Sequence, residues 1–387
     1  MTWLDDRIEA VICGIGVGDA IGGAVEGWTP EQIEQRHHGR IRGIVAPFLD
    51  DWRTARPIAP YHKGDGHITD DTLMTIALIE TYERRGRHLG AYDLAEVLVP
   101  ILNTEKRWIP ELEQETVLMQ RIFFAEKWMV GRLHYGHNDP REAGVGNLVN
   151  CGAAMYMAPV GLANPGNPRG AYDEAIDMAG AHQSSYGREA AGVFAAAVAA
   201  SLAPGADVRS VLDAASDLAK DGTRAAIRAV REAVKGLGAP GDDEAARRAG
   251  RAIRRAVAPF DTVGDQYREM DMDARRPSRT KSIEELPAAL GMVAVYGGDY
   301  LPAVLGAANY GRDADSIAVM AGAICAGIGG PQSVPADLVE QVSTASRTPL
   351  REWGRRHAAS VAAILAADVA RHTELAATLA SIAGKAQ

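Results

Sequence analysis

The sequence predicts an all-α protein, one domain of packed helices around a centre built from small residues. Three observations carry that expectation. Apolar residues recur at helical spacing over most of the 387 residues, and alternating strand-like runs are almost absent. The long segments after residue 170 are rich in Ala, Leu, Glu and Arg, which favour helices. Gly14, Gly18 and Gly22 fall on one stripe of a helix, where the missing side chains let another backbone come close.

In chain order, residues 4–27 place Leu4, Ile8, Val11 and Ile12 at helical spacing ahead of the glycine stripe. Asp19 and Glu26 are seven apart, so a helix continued to residue 27 puts both carboxylates on one face. Residues 36–67 form a long loop carrying Trp52, Tyr61 and several Arg. A helix then runs from Asp71 to Arg85 and another over Asp93–Leu102. The segment 103–144 is helical in its middle and rich in aromatics, and is read as a lid or insert. Helices follow over Tyr172–Ala181, Gly187–Leu202, Val208–Lys220, Arg224–Gly236 and Asp242–Val257. Residues 261–282 have no period and mix charges, which marks a loop. The helical pattern resumes at Ile283 and continues through Ala321–Ile328, Ala336–Val342 and Pro349–Ala383, with 336–387 expected to pack on the core. No internal repeat divides the chain, and residues 1–387 are read as a single domain.

Composition narrows the function. Hydrophobic residues make up 47% and charged residues 24%, enough for a sizeable core. A formal net charge of −9 argues against a nucleic-acid partner, since phosphate binding needs a surplus of Lys and Arg. It suits a protein that collects cations. Cys13, Cys151 and Cys325 lie far apart without CxxC spacing and read as small core residues in a reducing compartment. The N-terminus lacks the pattern of a signal peptide and no apolar run is long enough to cross a membrane, so a cytoplasmic location is expected.

Two acidic clusters stand out. In 66-GHITDDTLMTIALIE-80, Thr69, Asp70 and Asp71 precede an apolar run, as a helix cap would. Far along the chain, 309-NYGRDADSIAVMAGAICAGIGG-330 repeats the arrangement with Asp313, Asp315 and Ser316. If the two helix starts meet in the core, their carboxylates crowd together at a large cost that divalent cations would remove. Carboxylates and hydroxyls are hard oxygen donors, suited to Mg²⁺ or Mn²⁺ rather than zinc. His134 and His137 have no Cys or acidic partner at ligand spacing, so a zinc site there is not expected. A dinucleotide fingerprint at 14-GIGVGDAIGG-23 fails too: Asp19 stands where the third glycine belongs, and the preceding segment is helical.

The segments 14-GIGVGDAIGGAVE-26, 69-TDDT-72, 150-NCGAAMYMAPVGL-162, 179-AGAHQSSYGREAA-191 and 286-LPAALGMVAVYGGDY-300, leading into 311-GRDADSIAVMAGAICAG-327, resemble the ADP-ribosylglycohydrolase family, the dinitrogenase-reductase-activating type. The motifs span about residues 11–340 in the family's order. The resemblance implies a large orthogonal helical bundle around a central binuclear site for two Mg²⁺ ions, or Mn²⁺ in their place. It implies Thr69, Asp70, Asp71, Asp313, Asp315 and Ser316 as metal ligands. Glu26, Asp315 and the supporting Asp19 are implied as the catalytic acids, and Asn150, Gly152, Ala153, Tyr156, His182 and Gly311 as substrate-binding residues. The loop 36–67 would cover the metals. The substrate would be a small molecule or an ADP-ribosylated group.

The chemistry expected is hydrolysis at the anomeric carbon of a ribose, where two metals can hold the sugar hydroxyls and lower the pKa of a water. Either Glu26 or Asp315 could take the water's proton. Where the family's GAAM motif commonly continues with Arg, this chain has Tyr156, which removes a guanidinium and leaves a phenol. That change and the long loops favour a small N-ribosyl metabolite as an alternative to an ADP-ribosyl bond. A non-catalytic binding role is the third reading, disfavoured because every expected ligand is present.

Overall fold

Thr2 starts the first helix. Its hydroxyl accepts from the Asp5 N–H while the Asp5 carboxylate accepts from the Thr2 N–H, a reciprocal cap that satisfies two otherwise orphaned donors. The computed structural model describes residues 2–55, 62–261 and 283–384. Over these the chain is all-α apart from one hairpin. The helices are α1 (Trp3–Gly23), α2 (Pro30–His37), α3 (Asp70–Arg85), α4 (Ala91–Asp93) and α5 (Val99–Thr104), the last two joined by a π-helical turn over Leu94–Leu98. The antiparallel pair β1 (Lys106–Ile109) and β2 (Gln114–Val117) follows, with Trp108 opposite Glu115. Then come α6 (Phe124–Val130), α7 (Ala158–Ala163), α8 (Pro168–Ala179), α9 (Ser185–Ser201), α10 (Val208–Leu218), α11 (Asp221–Val234) and α12 (Asp243–Val257). The last group is α13 (Glu285–Val295), α14 (Tyr300–Tyr310), α15 (Ala314–Gly329), α16 (Ala336–Ser346) and α17 (Leu350–Gly384).

The centre is the pair α1 and α15, both almost wholly buried. Glycine in a helix costs about 1 kcal/mol relative to alanine, so a glycine stripe needs a packing reason. Here it has one. A Cβ on Gly14 would come 2.9 Å from Ala326 Cβ, and one on Gly18 would come 2.7 Å from the Ala318 carbonyl oxygen. One on Gly22 would stand 2.6 Å from Asp315 Cα. The two backbones therefore run in contact over about two turns. Around them, α17, α14 and α16 pack on α1, while α13, α14 and α9 pack on α15.

Two features differ from expectation, and part of the expected loops falls outside the described residues. The first helix stops at Gly23 rather than residue 27, and Ala24–Gly27 form a turn. The segment 103–144 carries the β-hairpin, a pairing the sequence pattern did not show. Tyr61 and residues 262–282 of the expected loop 261–282 lie outside the described residues. No helix among the described residues is long and apolar enough to cross a membrane.

His88, just beyond α3, ties two helices together: its Nδ1 is 2.6 Å from Glu174 Oε2 on α8 and its Nε2 is 2.9 Å from Asp368 Oδ2 on α17. The hydrogen bond to Glu174, aided by the Glu174 and Asp368 charges against the cost of burial, pushes its pKa up to about 9. A raised histidine pKa means that stability is fully present below the unfolded value near 6.5 and is lost as pH rises through 9. His88→Gln is therefore expected to lower stability at pH 6 by roughly 1–2 kcal/mol, after discounting for the part-exposed ring. Wild type and variant should converge by pH 9.5. Urea unfolding at the two pH values measures this, and an equal difference at both would refute it.

Candidate metal centre

Glu26 reaches the site because the chain leaves the helix early. The turn after α1 is locked to the segment before α15 by two backbone bonds, Gly27 N–H to the Arg312 carbonyl at 2.6 Å and Arg312 N–H to the Trp28 carbonyl at 2.8 Å. Gly311, at φ +73°, allows the approach, since any side chain there would run into the Trp28 carbonyl. This clasp sets Glu26 beside Asp313, the N-cap of α15, and Asp315 in its first turn. Asp19 and Glu26 consequently do not share one helical face.

Asp19 is completely buried and takes a different part. Its carboxylate accepts from the Thr69 N–H (2.9 Å), the Thr69 hydroxyl (2.7 Å), the Thr72 N–H (3.1 Å) and the Thr72 hydroxyl. It thereby satisfies the orphan donors at the start of α3 and orients that helix end. Asp70 and Asp71, the next residues, are pushed into a cavity that Asp19 and Thr69 do not line. Glu26, Asp70, Asp71, Asp313, Asp315 and Ser316 all line it, so the two distant acidic clusters meet.

The electrostatics are those of crowded acids. Burial first, then the charges of Asp315, Asp19 and Asp70, hold Asp71 well above the usual carboxylate range. Burial and the Glu26 charge raise Asp315 likewise, against the opposing pull of His62. Asp70 is raised to about 6 by burial, with Arg121 working against it. Asp71 Oδ2 is buried with no hydrogen-bond partner among the described residues. Carboxylates short of positive charge, one with an orphaned oxygen, are a donor set that fits divalent cations.

The site also contains groups that the sequence reading missed. His62 Nε2 lies 2.5 Å from Glu26 Oε2 and 3.2 Å from Asp315 Oδ2. Behind it, Glu111 from the hairpin turn meets His62 Nδ1 at 3.1 Å, and Arg121 bridges Glu111, His62 and Asp70. Burial disfavours the imidazolium, yet the Glu111 and Glu26 charges outweigh it and raise the His62 pKa well above its ordinary value. Burial also pushes Glu111 upward, but Arg121 and His62 prevail and hold it at about 2. Cys151 donates its thiol hydrogen to Asp313 Oδ2 at 2.9 Å and accepts from the Ser316 hydroxyl at 3.3 Å. The side chains at the site are therefore not confined to oxygen donors, because the folded chain brings in a histidine and a cysteine from segments with no metal-binding spacing.

The residues expected to bind substrate divide. Asn150 and Gly152 line the cavity, together with Phe123, Phe124 and Glu126 of the 103–144 segment. Asn150 caps the turn Cys151–Ala153 by accepting from the Gly152 N–H, and Gln183 donates to it at 2.6 Å. Ala153, Tyr156, His182 and Gly311 stand behind the wall rather than on it. Tyr156 is fully buried with its hydroxyl 2.9 Å from His182 Nδ1, and His182 Nε2 lies 3.4 Å from Glu126 Oε1. The phenol at 156 thus lies in the core behind the wall, bonded to His182 and not facing the cavity. Trp52 of the 36–67 loop packs against the core and is absent from the lining, to which that loop contributes His62. His134 and His137 are exposed.

A model of the family described as ADP-ribosylglycohydrolase matches residues 2–377. A protein of Archaeoglobus fulgidus, described only as uncharacterized, is 32% identical over 162 residues, which cover 41% of this chain and 43% of that relative. The chain thus aligns with less than half of that relative's length. Among solved structures, an ADP-ribosylglycohydrolase-related protein complex superposes with a TM-score of 0.62 at 18% identity, covering 93% of this chain and 100% of the other. At that identity the likeness shows the fold.

Proposed function

The chain belongs to the ADP-ribosylglycohydrolase family, a family of glycosidic-bond hydrolases, and on that premise we propose that it hydrolyses a ribosyl glycosidic bond, releasing ADP-ribose at its anomeric carbon with the help of divalent cations. The observation that supports this reading is the meeting of Asp70 and Asp71 with Asp313 and Asp315 in one buried cavity, with Asp71 Oδ2 lacking a hydrogen-bond partner. These four aspartates would hold two Mg²⁺ or Mn²⁺ ions, with the Ser316 hydroxyl on the same wall and Thr69 fixing the helix end. Bound there, the ions supply Lewis-acid stabilisation and a grip on the ribose hydroxyls.

The chain's own groups do the rest. Cleavage builds positive charge on the sugar as the leaving group departs and water attacks. Glu26 is on the cavity wall and outside the set of four aspartates, which leaves its carboxylate as the base that accepts the water's proton. In the cation-free chain its neighbour His62 lies 2.5 Å from it. Phe123 and Phe124 give the cavity an aromatic side where a ribose or base can shed water.

The test is mass spectrometry of products from ADP-ribosyl-arginine, ADP-ribose esters and a nucleotide panel, run with and without added cation. Release of ADP-ribose that EDTA abolishes is the expected result. Turnover confined to small nucleotides would replace the substrate. Cation binding without turnover on any of them would leave a binding protein.

A further inference from the structure

Carboxylates and hydroxyls alone would suit magnesium, but the folded chain brings a nitrogen to the same wall. His62 is 4% exposed, and its Nε2 is the ring atom that faces Glu26 and Asp315. The other ring nitrogen is engaged from behind, 3.1 Å from Glu111 Oε1 and 2.8 Å from Arg121 Nη2. Glu111 is itself fixed by the Lys63 N–H at 3.0 Å and by the Arg121 guanidinium. A carboxylate on the far nitrogen is the arrangement that orients metal-bound histidines. Two donors each about 2.1 Å from one ion and at right angles stand about 3 Å apart. The 3.2 Å between His62 Nε2 and Asp315 Oδ2 matches that edge.

We propose that His62 is a ligand of the centre: cation entry sends the Nε2 proton to solvent and ends the Nε2–Glu26 hydrogen bond, Nε2 then binds the ion that Asp315 holds, and the centre in consequence takes a first-row transition ion such as Mn²⁺ or Fe²⁺ in preference to Mg²⁺. This rests on the acidic cavity being a cation site, and it adds the donor and the class of metal. Mg²⁺ favours oxygen donors and keeps its waters, whereas imidazole is a good ligand for transition ions. A second observation points the same way: Cys151 Sγ on the cavity wall stands 2.9 Å from Asp313 Oδ2, and these two have donor atoms close enough to share an ion with Glu285, which lies behind that wall. The orphaned Asp71 Oδ2 shows that the cavity has acceptor capacity that His62 and Arg121 do not fill.

Mn²⁺ is the probe. Pulsed electron paramagnetic resonance of the full-length protein loaded with Mn²⁺ is expected to show coupling to an imidazole nitrogen, and His62→Gln to lack it. By calorimetric titration, Mn²⁺ affinity should fall about 10-fold or more in His62→Gln, with Mg²⁺ affinity changing far less. Glu111→Gln, which keeps the imidazole and loosens its orientation, should lower Mn²⁺ affinity in the same direction. Mn²⁺ bound by the wild-type protein without nitrogen coupling, or with no preference over Mg²⁺, would overturn the proposal and leave His62 as a counter-charge for the acids. Failure of the wild-type protein to bind Mn²⁺ would overturn it as well. Hydrolysis assayed on the same samples separates the two readings: turnover without nitrogen coupling removes this inference alone, and nitrogen coupling without turnover removes the hydrolase alone.

Discussion

Asp315→Asn is expected to cut cation-dependent hydrolysis by roughly 10³-fold while making the metal-free protein more stable, on the order of 1 kcal/mol. The two effects share one cause. Burial and the neighbouring Glu26 charge raise the Asp315 pKa well above its unfolded value, and His62 only partly offsets them. For a carboxyl shifted upward, the stabilising contribution is present below the unfolded pKa and is lost as pH rises through the folded one, so at neutral pH the ionised group is a net cost. Asparagine keeps the shape and removes the charge. The gain should therefore show in EDTA at pH 7 and shrink in acid. Added cation should reverse the order, because a ligand that binds only the folded state stabilises the wild type more. Thermal melts with EDTA or Mn²⁺, alongside steady-state hydrolysis, test both halves. A variant with undiminished turnover, or one that melts lower in EDTA, would remove Asp315 from the role assigned to it.

Gly22→Ala should disturb both the helix pairing and the acidic cavity. Its Cβ would stand 2.6 Å from Asp315 Cα and also run into the Ala314 carbonyl, both backbone atoms that cannot rotate away. Overpacking of this kind costs on the order of 3 kcal/mol, and relief requires α1 to move off the start of α15. That start carries Asp313 and Asp315, so cation affinity should fall together with stability. Gly18→Ala provides the control. Its Cβ would meet the Ala318 carbonyl at 2.7 Å, one helical turn farther from the acids. It should destabilise comparably with a smaller loss of cation affinity. Equal losses of affinity in the two variants would show that the glycine stripe serves packing in general and not the placement of Asp315.

Much of the fold was legible because its signals are local. The Thr69 cap, the glycine stripe and the apolar runs of α1 and α15 each announce themselves within a few turns. Charge alone makes the meeting of the two acidic clusters only a condition, because each could equally cap an exposed helix start; the family resemblance is what implies one shared site. Glu26 was placed on a continued helix because nothing local stops α1 at Gly23. The stop comes from the Gly27 and Arg312 backbone bonds, between residues far apart in sequence. His62, Glu111 and Arg121 escaped for the same reason. They come from a loop and a short hairpin with no helical period, and they recognise one another only after folding. Tyr156 shows the opposite error, a motif position read as a substrate contact whose side chain points into the core toward His182.

The pairing of α1 with α15 also dictates when the molecule can first work. Gly22 on α1 packs against Asp315 on α15 across nearly the whole chain, and both halves of the acidic cavity depend on that union. A chain emerging from the ribosome exposes the apolar faces of α1 long before its mate is synthesised, so the metal pocket is among the last features to form. Until then the apolar face of α1 lacks the partner that covers it, and a nascent chain halted short of residue 313 lacks two of the four aspartates.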